Sequence, residues 1–201
     1  MFLTEFFTYV SFRAMNQIQI QARNMRLLLW RQEEHRDKWP ARLASWLGIE
    51  IGRARELLLN GGLTDKEAER LSETTKQPTE ELLHADFVQG TDVLRENLKY
   101  LLSSLPHGKQ KEVAGNLGVD ATTVSRWRSG TLQNPTPRNL EAIKTRFNIP
   151  PSTDLSIEPI FLDMEPLLDH ERRNWLLTAI KNLESTRLRQ YFPALRKLLG
   201  E

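Results

Sequence analysis

The chain has 201 residues, and its 28 Lys and Arg residues against 26 Asp and Glu residues give a formal net charge of only +2. It contains no cysteine, which excludes disulfide bonds and thiolate zinc sites. Its hydrophobic content of 39% is sufficient for the cores of one or two small domains.

The chain begins with a dozen unusually apolar residues, and its composition changes at Met15. This run includes Glu5 and lacks a basic leader and a small-residue cleavage site, so we expect neither a signal peptide nor, given its length, a membrane span. Residues 1–22 are predicted to be an N-terminal extension in which residues 16–21 form either a short strand or a polar lead-in. A natural start at Met15 is an open hypothesis, and the expected location is the cytoplasm.

Residues 23–88 have the apolar spacing of several short helices. On both sides of Gly48, small and apolar residues recur at helical spacing, at Leu43, Ala44, Leu47, Ile49, Ala54 and Leu57. An upstream helix over residues 25–29 and a downstream helix capped by Thr64 complete the pattern, which ends near Pro78. We therefore predict a first helical bundle over residues 23–88.

The most informative stretch is residues 110–130, which has the spacing of two short helices joined by a tight turn. Gly118 supplies the turn, where a side chain would obstruct it. Asp120 is a suitable N-cap for the second helix, which turns Val124 and Trp127 inward. The outward side of that helix then carries Ala121, Thr122, Ser125 and Arg126.

This stretch resembles the phage-repressor type of helix-turn-helix domain, the XRE or Cro-like family. The resemblance rests on Gln110, Ala114, Leu117-Gly118-Val119, Val124-Ser125-Arg126-Trp127 and Gly130. It covers about a quarter to a third of the chain. It implies a lambda-repressor-like, all-α bundle over residues 92–150 that binds double-stranded DNA. It also implies that Gln110 binds a phosphate and that base edges in the major groove meet Ala121, Thr122, Ser125 and Arg126.

Further phosphate contacts are expected around the reading helix, at Gln110, Lys111, Thr131, Asn134 and Arg138. Residues 92–150 carry nine Lys and Arg residues against five Asp and Glu residues, so the basic excess coincides with this bundle. A solvated basic face is the alternative interpretation. Arg128 stands where the family often has an acidic residue that ties the reading helix to the first helix. Either that pair is absent here, or Arg128 is an additional phosphate contact.

The first bundle is interpreted as a second, degenerate copy of the helix-turn-helix module, because its apolar positions match those of the later copy. Ile51 and Gly52 stand at its base-reading positions, whereas Arg53 and Arg55 are available for phosphates. We expect this copy either to bind DNA without sequence specificity or only to pack against its neighbours.

Residues 151–168 are predicted to be a linker that runs extended over a surface, because several prolines prevent a long helix there. Residues 169–201 are predicted to form a C-terminal helical hairpin. Its apolar surface is too large to stand alone, so it either packs on the modules of its own chain or pairs with a second chain. Pairing is favoured because helix-turn-helix domains of this kind usually bind DNA as symmetric dimers. We therefore expect a homodimer.

The sequence contains no recognisable catalytic constellation. Four histidines lie scattered, and Asn174 stands where a zinc helix would place a second histidine after His170. Asp163 and Glu165 are the only carboxylates spaced to suggest the metal site of a nuclease. We therefore expect no enzymatic activity, no metal and no cofactor.

The expected function is a sequence-specific DNA-binding transcriptional regulator, a repressor, which reads the major groove with a helix over residues 120–129. The alternative is a DNA-associated adaptor or architectural protein. In that case the first module, with its run Leu57-Leu58-Leu59, recruits another protein. The two hypotheses differ in whether an Arg126-dependent surface binds duplex DNA at physiological salt.

Overall fold

A computed structural model describes residues 17–33, 35–103, 105, 109–131 and 135–164, and beyond them residues 172–173, 176–177, 180–181 and 183–198. The chain divides into two units, Met1–Met164 and Glu165–Glu201. Every regular element within these described ranges is a helix, which confirms the all-α class. The apolar start of the chain and Met15 lie outside the described residues.

Five helices build the first half of the larger unit: α1 (Gln17–Arg31), α2 (Trp39–Leu47), α3 (Ile51–Asn60), α4 (Asp65–Thr75) and α5 (Thr79–His84). Short 3-10 turns lie at Arg36–Lys38 and Phe87–Gly90. Helix α3 packs against α1 and α2, and α5 packs against α1 and α4. Their shared core contains Met25, Leu29, Trp39, Leu43, Leu47, Leu57, Leu58, Leu71 and Leu82.

Helix α1 begins at Gln17, so the alternating residues 17–21 form helix and neither a strand nor a lead-in. The alternation is misleading because Gln21 is buried with its polar atoms paired. Its side-chain oxygen accepts hydrogen bonds from the backbone N–H groups of Gly62 and Leu63, both at 3.1 Å. Its amide nitrogen donates to the carbonyl of Leu83. Gln21 therefore lies on the inner face of α1, although a sequence pattern assigns a glutamine to the solvent-exposed face.

The second half contains α6 (Val93–Ser103), α7 (Gln110–Leu117), α8 (Ala121–Ser129), α9 (Pro137–Arg146) and a 3-10 turn at Ile160–Leu162. Helix α8 packs against α6 and α7, and α9 packs against α7. The residues that these helices bury include Leu98, Leu101, Leu102, Val113, Ala114, Leu117, Val124, Trp127 and Ile143. Helix α8 is thus held from behind by two helices.

The segment after residue 150 does not run over a surface as predicted. Leu155 and the whole turn Ile160–Leu162 are buried, Phe161 completely, and this turn packs against both α1 and α6. The prolines do exclude a long helix, but the three consecutive apolar residues bury their side chains between the two halves of the unit. Leu155 and Ile160–Leu162 of the predicted linker are therefore part of the core.

Asn97 of α6 fixes this segment through hydrogen bonds. The side chain is fully buried, and its amide nitrogen donates to the carbonyls of Leu155 and Glu158, both at 2.8 Å. Its oxygen accepts from the N–H of Phe161 at 3.2 Å. Trp30 of α1 packs on the Phe161 ring with a centroid distance of 5.3 Å. The buried amide of Asn97 and the pair of Trp30 and Phe161 thus connect α1, α6 and the segment after residue 150 that packs against both helices.

The second unit contains α10 (Ser185–Leu198), which includes Pro193 and exposes Tyr191 and Phe192. Of the predicted first arm of the hairpin, residues 172–173, 176–177 and 180–181 are helical, and its other residues lie outside the described ranges. Among the helices that the structure describes, none is long and apolar enough to cross a membrane.

Candidate nucleic-acid interface

The turn between α7 and α8 depends on Gly118. This residue has φ +67° and ψ 31°, in the left-handed region that side chains disfavour. Its N–H bonds to the carbonyls of Ala114 and Gly115, and the N–H of Val119 bonds to the carbonyl of Ala114 at 3.0 Å. These bonds close the end of α7 and direct the chain into α8.

Asp120 caps the start of α8. Its backbone is extended, and its carboxylate accepts a hydrogen bond from the N–H of Thr123 at 2.7 Å. This bond, above all, holds the pKa of the Asp120 carboxyl below its usual value. The ionised cap satisfies a backbone donor that the first turn of a helix otherwise leaves unpaired.

Val124 and Trp127 determine which side of α8 faces outward. Val124 is completely buried and Trp127 is 4% exposed, so both anchor the inner face. The opposite face carries the four predicted base-reading residues: Thr122 and Arg126 are exposed, and Ala121 and Ser125 are half-buried. The structure therefore places all four on one side of one helix, as the sequence spacing predicts.

Arg126 and Arg128 lie in the last turn of α8. Arg126 is exposed and Arg128 is half-buried. Within the described part of the chain, no hydrogen bond or salt bridge holds either guanidinium group. An internal acidic partner for Arg128 is therefore not seen among these residues.

The predicted phosphate contacts border α8. Gln110 and Lys111 begin α7, which packs on α8, and Lys111 is exposed. Thr131 lies two residues after the end of α8, with its hydroxyl 2.9 Å from the hydroxyl of Ser129. Arg138 is exposed in the first turn of α9. Asn134 lies outside the described residues.

In the first half, Arg53 is engaged internally and does not present a free guanidinium as predicted. It donates to both carboxylate oxygens of Glu67 at 3.1 Å, to Glu56 at 3.0 Å and to the carbonyl of Gly62 at 2.8 Å. The hydrogen bond to Glu67 is the main cause that raises the pKa of Arg53 above its already high value. Of the two arginines predicted to bind phosphates here, Arg55 is the exposed one, and among the described residues it has no such contacts.

The sequence prediction counted Arg95 as part of the basic excess but not as part of the interface. Its side chain extends from α6 and lies against Gly130, at the end of α8. No local pattern could show this, because the two residues are brought together only by the packing of α6 on α8. In the described ranges no group of three or more His, Asp or Glu residues is placed to hold a metal ion. Glu165, the partner considered for Asp163, lies outside them.

Residues 107–153 match a helix-turn-helix family model, HTH_3. The matched stretch contains α7, α8 and α9, so it coincides with the interface described above and does not include residues 39–60. Comparison with curated proteins found no match, and comparison with solved structures found none.

Proposed function

We propose that the protein is a sequence-specific DNA-binding transcriptional regulator that reads the major groove with α8. The observation that carries this proposal is the division of α8 into two faces within a matched helix-turn-helix domain. Its inner face is anchored by Val124 and Trp127, while its outer face presents Thr122 and Arg126, which no residue in the described part of the chain pairs. A rigid helix with free polar side chains on one face is what groove recognition requires.

Base readout is assigned to four residues of the outer face. Arg126 donates two hydrogen bonds to the O6 and N7 atoms of a guanine, a geometry that matches the planar guanidinium. The methyl groups of Ala121 and Thr122 meet a thymine methyl, and Ser125 bonds to a neighbouring base edge. Specificity then depends most on Arg126, because a bidentate contact discriminates best between bases.

Phosphate binding is assigned to one residue of α8 and to residues on either side of this helix along the chain. These are Gln110, Lys111, Arg128, Thr131, Asn134 and Arg138. They fix the register of the helix on the duplex but carry no sequence information. Arg53 is left out because Glu67, Glu56 and Gly62 occupy its donors.

The test is selection from a pool of random duplexes by the full chain and by Arg126→Ala, followed by sequencing. We expect the wild-type protein to enrich one motif, and Arg126→Ala to lose preference at one base position at a cost of about 1–3 kcal/mol. Lys66→Ala, at an exposed position on α4, is the matched control and should enrich the wild-type motif. Equal motifs and affinities for wild type and Arg126→Ala overturn the assignment of Arg126. Absence of any enrichment overturns the proposed function.

A symmetric dimer through the second unit is the form we propose for a cytoplasmic repressor. Along α10, exposed Tyr191 and Phe192 and half-buried Leu188 and Leu195 form one apolar stripe, which a second copy can cover. The same helix carries four basic and no acidic residues, so salt should strengthen the pairing by screening their repulsion.

Sedimentation velocity at low and high salt tests the dimer. We expect more dimer at high salt, loss of dimer in Phe192→Ala, and a two-fold symmetric motif in the selection. A monomer at both salt concentrations overturns the dimer without affecting DNA reading by a single head. Repression itself is tested with a reporter promoter that contains the selected motif.

An adaptor role remains the second candidate, and α3 supplies the observation that favours it. Ile51 and Leu59 are 51% and 53% exposed on this helix. Of the leucine run considered for partner binding, however, Leu57 and Leu58 are fully buried and belong to the core. A protein that binds no duplex DNA at physiological salt would favour this candidate.

A further inference from the structure

Arg95 occupies the space at the end of the reading helix. A Cβ atom built on Gly130 would lie 2.0 Å from Nε of Arg95 and 2.7 Å from its Cδ and Cζ atoms. Gly130 has φ +68°, and its N–H bonds to the carbonyls of Arg126 and Trp127. A guanidinium from α6 thus rests directly on the residue that terminates α8, and a larger residue than glycine would displace it.

The surroundings of this guanidinium are basic. Arg126 and Arg128 lie four and two residues before Gly130, respectively, in the last turn of α8. The carboxylate of Asp92 accepts from the backbone N–H of Arg95 at 3.1 Å, and so it caps α6. Considering the described residues alone, no hydrogen bond or salt bridge neutralises the side chains of Arg95, Arg126 or Arg128. Three positive charges near one helix end favour an anion from outside the chain.

The same helix end opens towards groups that suit a phosphate. Ser129 and Thr131 are both exposed, and their hydroxyl oxygens lie 2.9 Å apart. We propose that Arg95, together with Arg128, binds a DNA backbone phosphate at the C-terminal end of α8, beyond the bases that Arg126 reads. This inference rests on the proposed function and extends it to a phosphate contact supplied by α6.

A purely structural role for Arg95 makes a different prediction. A cation near the carbonyl end of a helix stabilises the free protein, because the last carbonyls carry partial negative charge. That role would affect the unfolding of the protein without DNA. A phosphate contact instead affects how steeply DNA affinity falls with salt, by about 0.9 in the logarithmic slope for each phosphate.

The experiment measures Kd for the selected duplex over a salt series with the full chain. We expect Arg95→Gln to weaken binding to all duplexes alike and to reduce the salt slope by about one, while the selected motif is unchanged. Arg95→Lys, which keeps the charge, should keep most of the slope. Arg128→Gln should reduce the slope in the same way, and the control Lys66→Gln should not change it.

The outcomes separate this inference from the function on which it rests. If Arg95→Gln lowers the Tm of the free protein but keeps the wild-type salt slope, Arg95 is a structural residue and the inference is wrong. If Arg95→Gln changes the motif, Arg95 reads a base and the inference is also wrong. If the wild-type protein does not enrich a motif at all, the proposed function fails instead.

Discussion

Helices α3 and α8 are each preceded by a turn of the same type, centred on a glycine. Gly48 and Gly118 have φ values of +62° and +67°. In both turns the next residue bonds back to an alanine carbonyl: Ile49 to Ala44 at 3.1 Å and Val119 to Ala114 at 3.0 Å. The same glycine turn between two helices is therefore present in both halves of the larger unit, although the family match covers only the second.

The two helices differ in their N-caps and in the contacts of their arginine side chains. Asp120 caps α8 with its side chain, whereas Glu50 precedes α3 without a capping hydrogen bond. Arg126 of α8 is exposed and has no hydrogen bond or ion pair among the described residues, while the guanidinium of Arg53 on α3 is held by Glu67, Glu56 and Gly62. Glycine and buried apolar residues therefore suffice for the geometry of the turn and the following helix. Recognition of DNA additionally requires outward side chains that are not held by contacts within the protein.

The largest expected effect comes from removing the anchor of α8. Trp127→Ala should lower the free energy of unfolding by about 3–5 kcal/mol, because it deletes a nearly buried aromatic side chain. Leu57→Ala, at the corresponding position of α3, should cost about 2–5 kcal/mol. Urea unfolding followed by circular dichroism measures both. A loss below about 1 kcal/mol for Trp127→Ala would show that α8 is held by other contacts.

Glu67→Gln tests how much the internal pairing of Arg53 on α3 contributes to stability. Burial raises the pKa of Glu67, but hydrogen bonds from Arg53 and Thr64 outweigh it, so the folded pKa lies below the usual value. The ionised carboxylate thus stabilises the protein above the ordinary glutamate pKa of about 4.3, and this contribution is lost as the pH falls through the lowered pKa.

At neutral pH we expect Glu67→Gln to cost about 1.5–3 kcal/mol, since hydrogen bonds to a charged group are lost. The difference from wild type should shrink in unfolding experiments at progressively lower pH. Glu69→Gln, exposed on the same helix, should unfold like the wild-type protein at every pH. A pH-independent difference for Glu67→Gln would mean that shape, and not charge, matters at this site.

A smaller effect is expected from the caps. Asp120→Ala should lower the Tm, because the N–H of Thr123 loses its acceptor, whereas Glu50→Ala should leave the Tm unchanged. Asp120→Asn keeps an acceptor and should retain most of the stability. Since hydrogen bonding lowers the pKa of Asp120, the contribution of its charge is complete at neutral pH and is lost in acid. Thermal unfolding that is equally sensitive to Asp120→Ala and Glu50→Ala would contradict the difference between the helix starts.

The smallest effect is expected for Arg55→Ala, which removes the exposed arginine of α3. DNA affinity should stay within about twofold of wild type, since surface changes outside an interface have little effect. Lys111→Ala, at the start of α7, should weaken binding to all duplexes and reduce the salt slope. If fluorescence anisotropy shows equal losses for the two variants, the first half also contacts DNA and the comparison breaks down.

Sequence patterns predict the geometry of α8 well because its determinants are local. Gly118, Asp120, Val124 and Trp127 lie within ten residues, and each acts through backbone geometry or helical periodicity. The structure gives them the turn, the cap and the buried face that this spacing predicts.

Sequence patterns fail where the burial or position of a residue depends on residues that are distant in the sequence. The turn Ile160–Leu162 is too short to show a period, and its burial depends on Asn97, more than sixty residues earlier. The role of Arg53 depends on Glu67 of another helix, and the position of Arg95 depends on the packing of α6 against α8. In each case the surroundings of a polar side chain are set by residues that are distant in the sequence and meet it only after folding.

The hydrogen bonds of Asn97 also decide where the protein can be cut. A fragment that ends with the matched stretch at Thr153 lacks all three partners of this buried amide and the Phe161 ring beneath Trp30. The deletion also removes the buried Leu155 and Ile160–Leu162, so it exposes the apolar surface of α1 and α6 that they cover. Burial of each such side chain is worth about 1.5–3 kcal/mol, a large share of the stability of a small domain. A fragment intended for DNA-binding experiments should therefore extend to Met164 and retain α1, so the folding unit is larger than the motif by which it is recognised.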